Sequence, residues 1–276
     1  MLQDIGEHVF HNEFTPRAAR PDDFALCYAQ NRALLLSGDT PRLMRFSDFE
    51  DPALAGAHAE FLFTIDGRGF FLLRGYTGAF PAGCARYEAE LFRTLQPDEM
   101  GFAGILGMQL DRFYRDNAFC GRCGAPMRKS EKERALCCPS CALTVYPRLS
   151  PAVIVGVVDG EKLLLTRYAG RSYKKYALVA GYAEFGETIE QTVRREVMEE
   201  VGLSVSDIRY YKSQPWPFSD SLLFGFFCRA DSNSTIRLQQ DELSEAAWFT
   251  RGELPPTENT KSLTNTMIEA FRAGAW

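Results

Sequence analysis

Apolar positions along the chain fall into two spacings, alternate residues and every third or fourth residue, and these mark out its elements. AEFLFTI (59–65) and GFFLLRG (69–75) flank Asp66-Gly67-Arg68 and predict a hairpin. YEAELFRTL (87–95) and GFAGILGMQLDRFYRD (101–116) carry apolar residues at helical spacing. Residues 117–147 break the pattern, with five cysteines among short polar turns. Beyond Ser150, AVIVGVVD and KLLLTR flank Gly160 as a second hairpin, and YALVAGYAE reads as another strand. A helix from Thr188 to Val201 follows, then the strands IRYYKSQ, LLFGFFCRA and AAWFT, then a closing helix over 262–273. The chain thus reads as α/β (α+β) in three parts: an N-terminal α/β domain (1–115), a cysteine-rich module (116–147) and a second α/β domain (148–276).

Composition narrows the chemistry. Apolar residues make up 46% and charged residues 24%, ordinary for a globular protein. The net charge of −5 argues against bulk electrostatic binding of nucleic acid, so an anionic substrate needs a metal or a few placed cations. No run of 18 apolar residues predicts a membrane span, and the N-terminus lacks the basic start and apolar stretch of a signal peptide; the expected compartment is the cytoplasm. His8, His11 and His58 are the only histidines, so the last 218 residues must work with carboxylates, cysteines and cations.

Cys120-Gly-Arg-Cys123 and Cys138-Pro-Ser-Cys141 are two C-x2-C knuckles 14 residues apart. Each turn offers two thiolates, and together they make a tetrahedral cage suited to one structural zinc ion. Cys137, next to a ligand, is the spare. A cage of four thiolates has no open position, so its role is to hold the ribbon together.

In the following domain Gly181 closes a strand, Thr188 and Gln191 have the spacing of a capping box, and Gly202 fits a helix end. Ile189, Val193, Val197 and Val201 form an apolar stripe, and Glu196, Glu199 and Glu200 share a face beside it. Like charges so placed destabilise a helix unless a cation binds, and such oxygen ligands suit Mg²⁺ or Mn²⁺. The full pattern G-x5-E-x7-R-E-U-x-E-E-x-G-U (U, bulky aliphatic) runs from Gly181 to Leu203 and is similar to the Nudix box at every fixed position. That resemblance implies a Nudix α/β/α sandwich with a mixed sheet and two or three catalytic Mg²⁺ or Mn²⁺ ions. It makes Glu196, Glu199 and Glu200 catalytic, with Glu196, Glu200 and the Ala180 carbonyl as metal ligands. Glu187 and Arg195 would tie loop to helix through an ion pair.

Further on, Ser213-Gln214-Pro215-Trp216-Pro217-Phe218-Ser219-Asp220-Ser221 reads as a stiff aromatic loop able to stack a flat ring and read polar edges. With the ribbon and box before it, it resembles the SQPWPFPxS motif of the NADH pyrophosphatase (NAD-capped RNA hydrolase) subfamily, with Ser219 in place of a proline. The resemblance is close over about 85–276 and loose before. It implies hydrolysis of NADH or NAD⁺ to nicotinamide mononucleotide and AMP, removal of 5′-NAD caps from RNA, and a homodimer. It places Tyr182 and residues 213–221 on the nicotinamide half, adds Glu242 to the metal ligands, and assigns Arg93, Glu133, Tyr146 and Thr264 to substrate. Two other readings compete. Another Nudix hydrolase, for instance of ADP-ribose, would differ at 213–221. A non-catalytic nucleotide-sensing regulator would lack box glutamates, and this chain keeps them all.

Overall fold

In the computed structural model, which describes residues 1–170, 175–231, 235–239, 241–257 and 261–276, the chain forms two compact units. One comprises Met1 and Leu149–Trp276, the other Leu2–Arg148.

The 149–276 unit is organised by strand Ser150–Asp159, whose side chains alternate between two cores. Val153, Val155 and Val157 pack with Val193, Val197 and Val201 of helix Ile189–Val201. Ile154 and Val158 face the other way, toward Leu263, Met267 and Phe271 of helix Leu263–Arg272. A strand apolar on both faces needs a helix on each, and the result is an α/β/α sandwich. Each fully buried aliphatic side chain in these layers contributes about 1.5–3 kcal/mol before entropy is subtracted. The sheet is mixed. Its order is Val205–Trp216, Ser221–Ala230, Ser150–Asp159, Lys162–Tyr168, Leu243–Thr250, with Val179–Tyr182 also pairing Ser150–Asp159. Ser221–Ala230 runs parallel to Ser150–Asp159 and the other pairings are antiparallel.

In the 2–148 unit, a seven-stranded sheet packs with helix Asp98–Asp116. The expected hairpin is present: Ala59–Ile65 pairs antiparallel with Arg68–Leu73, and Asp66 and Gly67 turn at φ 51° and 75°. The strands Phe24–Ala29 and Arg32–Leu36 extend this sheet, and residues 87–95 depart from the helix their spacing predicts. Cys84–Glu88 is a strand paired with Arg32–Leu36, and Ala89–Arg93 is a 3₁₀ turn. Phe92 of that turn is fully buried against the long helix. A Cβ at Gly101 would sit 2.7 Å from the Phe92 carbonyl oxygen, and one at Gly104 would strike the Phe92 ring. Cross-strand pairing and this close approach override the local periodicity.

The cysteine-rich module belongs to the same unit. Its strands Arg128–Lys129, Leu136–Cys137 and Thr144–Val145 form an antiparallel ribbon. Lys129 pairs with Glu60, while Arg134 donates to Asn12 Oδ1 at 2.8 Å and to the Leu62 carbonyl, so the ribbon is fastened to the N-terminal sheet.

Candidate active site and metal cage

The acidic helix begins where the capping residues put it. Thr188 Oγ1 accepts from the Gln191 amide at 3.2 Å, and Gln191 Oε1 accepts from the Thr188 amide at 2.8 Å. It ends at Gly202, whose φ of 69° is left-handed and suits glycine. The Val193, Val197 and Val201 stripe is buried, which fixes the helix rotation and turns Glu196, Glu199 and Glu200 toward a cleft of about 950 Å³.

Arg195 organises the mouth of this cleft. Its Nε and Nη2 donate to both Glu187 oxygens at 2.6 and 3.0 Å, so the expected ion pair is formed. Nη1 reaches Glu196 Oε1 and Glu199 Oε2, each at 2.8 Å, and Nη2 also holds the Tyr182 carbonyl at 2.8 Å. Glu187 further accepts from the Glu184 amide and the Thr192 hydroxyl. Arg195, first, and these donors hold the Glu187 carboxyl down at about 2. Glu196 shifts the other way: burial raises it, Arg195 opposes, and the charges of Glu199 and Glu242 add to the rise. Gly181 is required by geometry, since a Cβ there would run into the Glu196 carboxyl group. Glu200 is buried beneath, its Oε1 3.5 Å from the Ala180 amide.

Of the residues expected at the site, Ala180, Tyr182, Glu196, Glu199, Glu200, Trp216, Ser219, Ser221, Glu242 and Thr264 all line this cleft. Tyr168, Glu184 and Gln239 line it too, and the sequence pattern does not point to them. Tyr168 ends a strand, Glu184 lies among the variable positions of the box, and Gln239 follows the box by 36 residues, so no motif marks them. The 213–221 segment is less of a loop than expected. Strand Val205–Trp216 continues through Ser213, Gln214 and Pro215, which pair with Phe224, Leu223 and Leu222. Pro215 is tolerated because this strand is at the sheet edge. The hairpin tip carries Trp216 against Phe218, ring centres 5.0 Å apart, and Ser221 Oγ lies 3.1 Å from Tyr182 Oη and 2.9 Å from Ser219 Oγ. Ser213, Gln214, Pro215, Pro217, Phe218 and Asp220 are not among the lining residues. Gln214 is fully buried and bonded to the Lys261 carbonyl and the Leu263 amide. Arg93, Glu133 and Tyr146 belong to the 2–148 unit, where Tyr146 Oη donates to Glu133 Oε1 at 2.9 Å.

In the ribbon, the Sγ atoms of Cys120, Cys123, Cys138 and Cys141 all lie within 4.8 Å of one another, with Cys120–Cys141 at 3.6 Å and Cys123–Cys138 at 3.5 Å. A tetrahedral zinc with bonds of about 2.3 Å sets its sulfurs about 3.8 Å apart, so the quartet fits a structural zinc ion. The amides of Arg122 and Cys123 pull the Cys120 thiol down, which favours a thiolate there, while, against the pull of the Ala125 amide, the neighbouring sulfurs of Cys138 and Cys141 push the Cys123 thiol up. Cys137 faces Thr144 instead. Among the described residues this is the one group of three or more His, Cys, Asp or Glu so tightly gathered. The cleft glutamates frame a wider space, which suits hard cations that keep part of their water.

Residues 148–271 match the NUDIX domain and residues 115–146 match the NADH pyrophosphatase zinc ribbon domain. The chain therefore carries a stretch that matches the NUDIX domain, preceded by one that matches the NADH pyrophosphatase zinc ribbon domain. It is 40% identical over 174 residues to the NAD-capped RNA hydrolase NudC of Pseudomonas aeruginosa, covering 63% of this chain and 61% of that protein. The NudC of Salmonella heidelberg is 40% identical over 163 residues, 59% of this chain and 63% of its own length. The chain thus matches somewhat under two thirds of these relatives. A solved NUDIX hydrolase from Nitrosomonas europaea aligns with 50% of this chain and 80% of its own at 26% identity, with a TM-score of 0.44.

Proposed function

We propose that the chain hydrolyses the pyrophosphate of NADH and NAD⁺, yielding nicotinamide mononucleotide and AMP, and makes the same cut in 5′-NAD caps of RNA. The observation that carries this reading is the meeting of two chemistries in one cleft, lined both by Glu196, Glu199, Glu200 and Glu242 and by Tyr182, Trp216, Ser219 and Ser221. Acid alone would bind cations, and an aromatic wall alone would bind a flat ring. Together they suit a ring-bearing pyrophosphate held by metal.

Glu196, Glu200, Glu242 and the Ala180 carbonyl would hold two or three Mg²⁺ or Mn²⁺ ions. Such cations neutralise pyrophosphate oxyanions and make bound water nucleophilic. The chain's own part is to aim these carboxylates. Arg195 restrains Glu196 and Glu199, and Gly181 gives Glu196 room. Among the described residues no histidine lines the cleft, so a glutamate is the side chain available to accept a proton from the attacking water. Tyr182 and Trp216 stack the nicotinamide ring, with Arg93, Glu133 and Tyr146 reserved for substrate contacts in a homodimer. The activity for which the matched relatives are named, NAD-capped RNA hydrolase, supports the same cut.

The test is a competition assay. Purified protein is given NADH and NAD-capped RNA at equal concentration, with Mg²⁺ or Mn²⁺, and the products are identified by mass. Reduced nicotinamide mononucleotide and AMP are expected from NADH, and nicotinamide mononucleotide with 5′-monophosphate RNA from the capped RNA. A parallel reaction receives ADP-ribose, and its cleavage with NADH and NAD-capped RNA left whole would favour a different Nudix substrate.

A further inference from the structure

The motif resemblance assigns Gln214 to the substrate, yet its side chain faces the other way. It is fully buried, accepts the Leu263 amide at Oε1 (2.6 Å) and donates from Nε2 to the Lys261 carbonyl (2.8 Å). Leu263 is the first residue of helix Leu263–Arg272, and its amide is one of the four that no helix can satisfy internally. Ser262 caps the Asn265 amide at 3.3 Å, so Gln214 and Ser262 share the work of holding the first turn. The turn they hold, Ser262, Leu263 and Thr264, lines the cleft. Two residues from Gln214 along its strand, Trp216 lines the same cleft.

A second, independent contact ties the same helix to the other strand of the hairpin, Ser221–Ala230. A Cβ at Gly225, across the hairpin from Lys212, would meet Met267 Sδ at 2.9 Å and Leu263 Cδ1 at 3.3 Å. The missing side chain lets the helix settle directly on the hairpin.

We propose that Gln214 is a positioning residue: by bonding the start of the closing helix it locks the Trp216 hairpin and the Thr264 turn into one rigid wall of the cleft, and so sets affinity for the dinucleotide without touching it. This rests on the reading of the cleft given under Proposed function. A fully engaged buried amide is well suited to the task. Losing these bonds takes a partner from the buried Leu263 amide and a donor from the Lys261 carbonyl.

Two variants of the full chain test it. Gln214→Met keeps the volume and removes both bonds; Gln214→Glu keeps only the acceptor for Leu263. Hydrogen exchange is measured first, without substrate. In Gln214→Met the 261–266 amides should exchange about tenfold faster, with the strand 150–159 unchanged, and Gln214→Glu should lie between. NADH kinetics with Mg²⁺ come second: KM should rise about tenfold in Gln214→Met while kcat stays within about twofold, the split expected when binding rather than chemistry is weakened. Unchanged exchange at 261–266 overturns the clasp. Faster exchange with wild-type KM overturns its link to substrate, as does a fall in kcat at constant KM. If wild-type protein leaves NADH whole, the reading of the cleft fails, and the exchange result still decides whether Gln214 locks the wall.

Discussion

Every nitrogen of the Arg195 guanidinium is engaged, and its partners are the acidic groups the cleft must keep in place. The pattern of charges in the sequence suggests a bond to Glu187, and the four-residue spacing to Glu199 permits another; nothing marks the bonds to Glu196 and the Tyr182 carbonyl, because a spacing of one residue says nothing about where a long side chain bends. Glu187 provides a handle on this network. Its ordinary value of 4.5 falls to about 2 in the folded chain. A carboxyl lowered on folding adds stability that is complete above the ordinary value and is lost as pH falls toward the folded one. Glu187→Gln should therefore melt a few degrees below wild type at pH 7, with the gap closing as pH drops from about 4.5 toward 2. A gap constant over that range would mean that the pair with Arg195 does not act through its charge.

Elements with strong local signals are legible in the sequence. Thr188, Gln191, the valine stripe and Gly202 mark the acidic helix, and apolar spacing marks the closing one. The same spacing misleads at 87–95, because Arg32–Leu36 offers a partner strand to Cys84–Glu88 and the glycines of the long helix draw Phe92 in. Neither partner is near in sequence. In 213–221 two prolines read as a loop, whereas an edge strand can absorb Pro215 and carry the chain to Trp216 before it turns. Glu196, Glu199 and Glu200 are legible because the box brings them within five residues, while Tyr168 and Gln239 come from segments that only folding brings alongside. At this scale the hairpin tip should govern affinity. Trp216→Ala should raise KM for NADH at least tenfold and change kcat little, a loss consistent with one aromatic stacking contact of about 1–3 kcal/mol. An equal loss on a pyrophosphate without nicotinamide would argue that Trp216 does not select the ring.

For the molecule as a whole, the ribbon and the acidic cleft fall in different units, so loss of the cage should leave the acidic helix folded. Elemental analysis should find one equivalent of zinc in the wild type and none in Cys138→Ser, and the variant should open 120–141 to protease, since a four-thiolate site contributes folding energy directly. Among the described residues no helix is long and apolar enough to cross a membrane. Zinc retained in full by Cys138→Ser would show that the quartet is not the cage.

Under the proposed function, Glu200, buried in the cleft, and its neighbours would hold the divalent cations needed for phosphoanhydride hydrolysis. The direct measurement is NADH hydrolysis by wild type and Glu200→Gln at saturating Mg²⁺ or Mn²⁺, with zinc content and melting temperature recorded for both. Turnover should fall at least 100-fold in the variant, about 3 kcal/mol of lost transition-state stabilisation, with zinc unchanged. A Glu200→Gln protein that cleaves NADH at the wild-type rate would contradict the account.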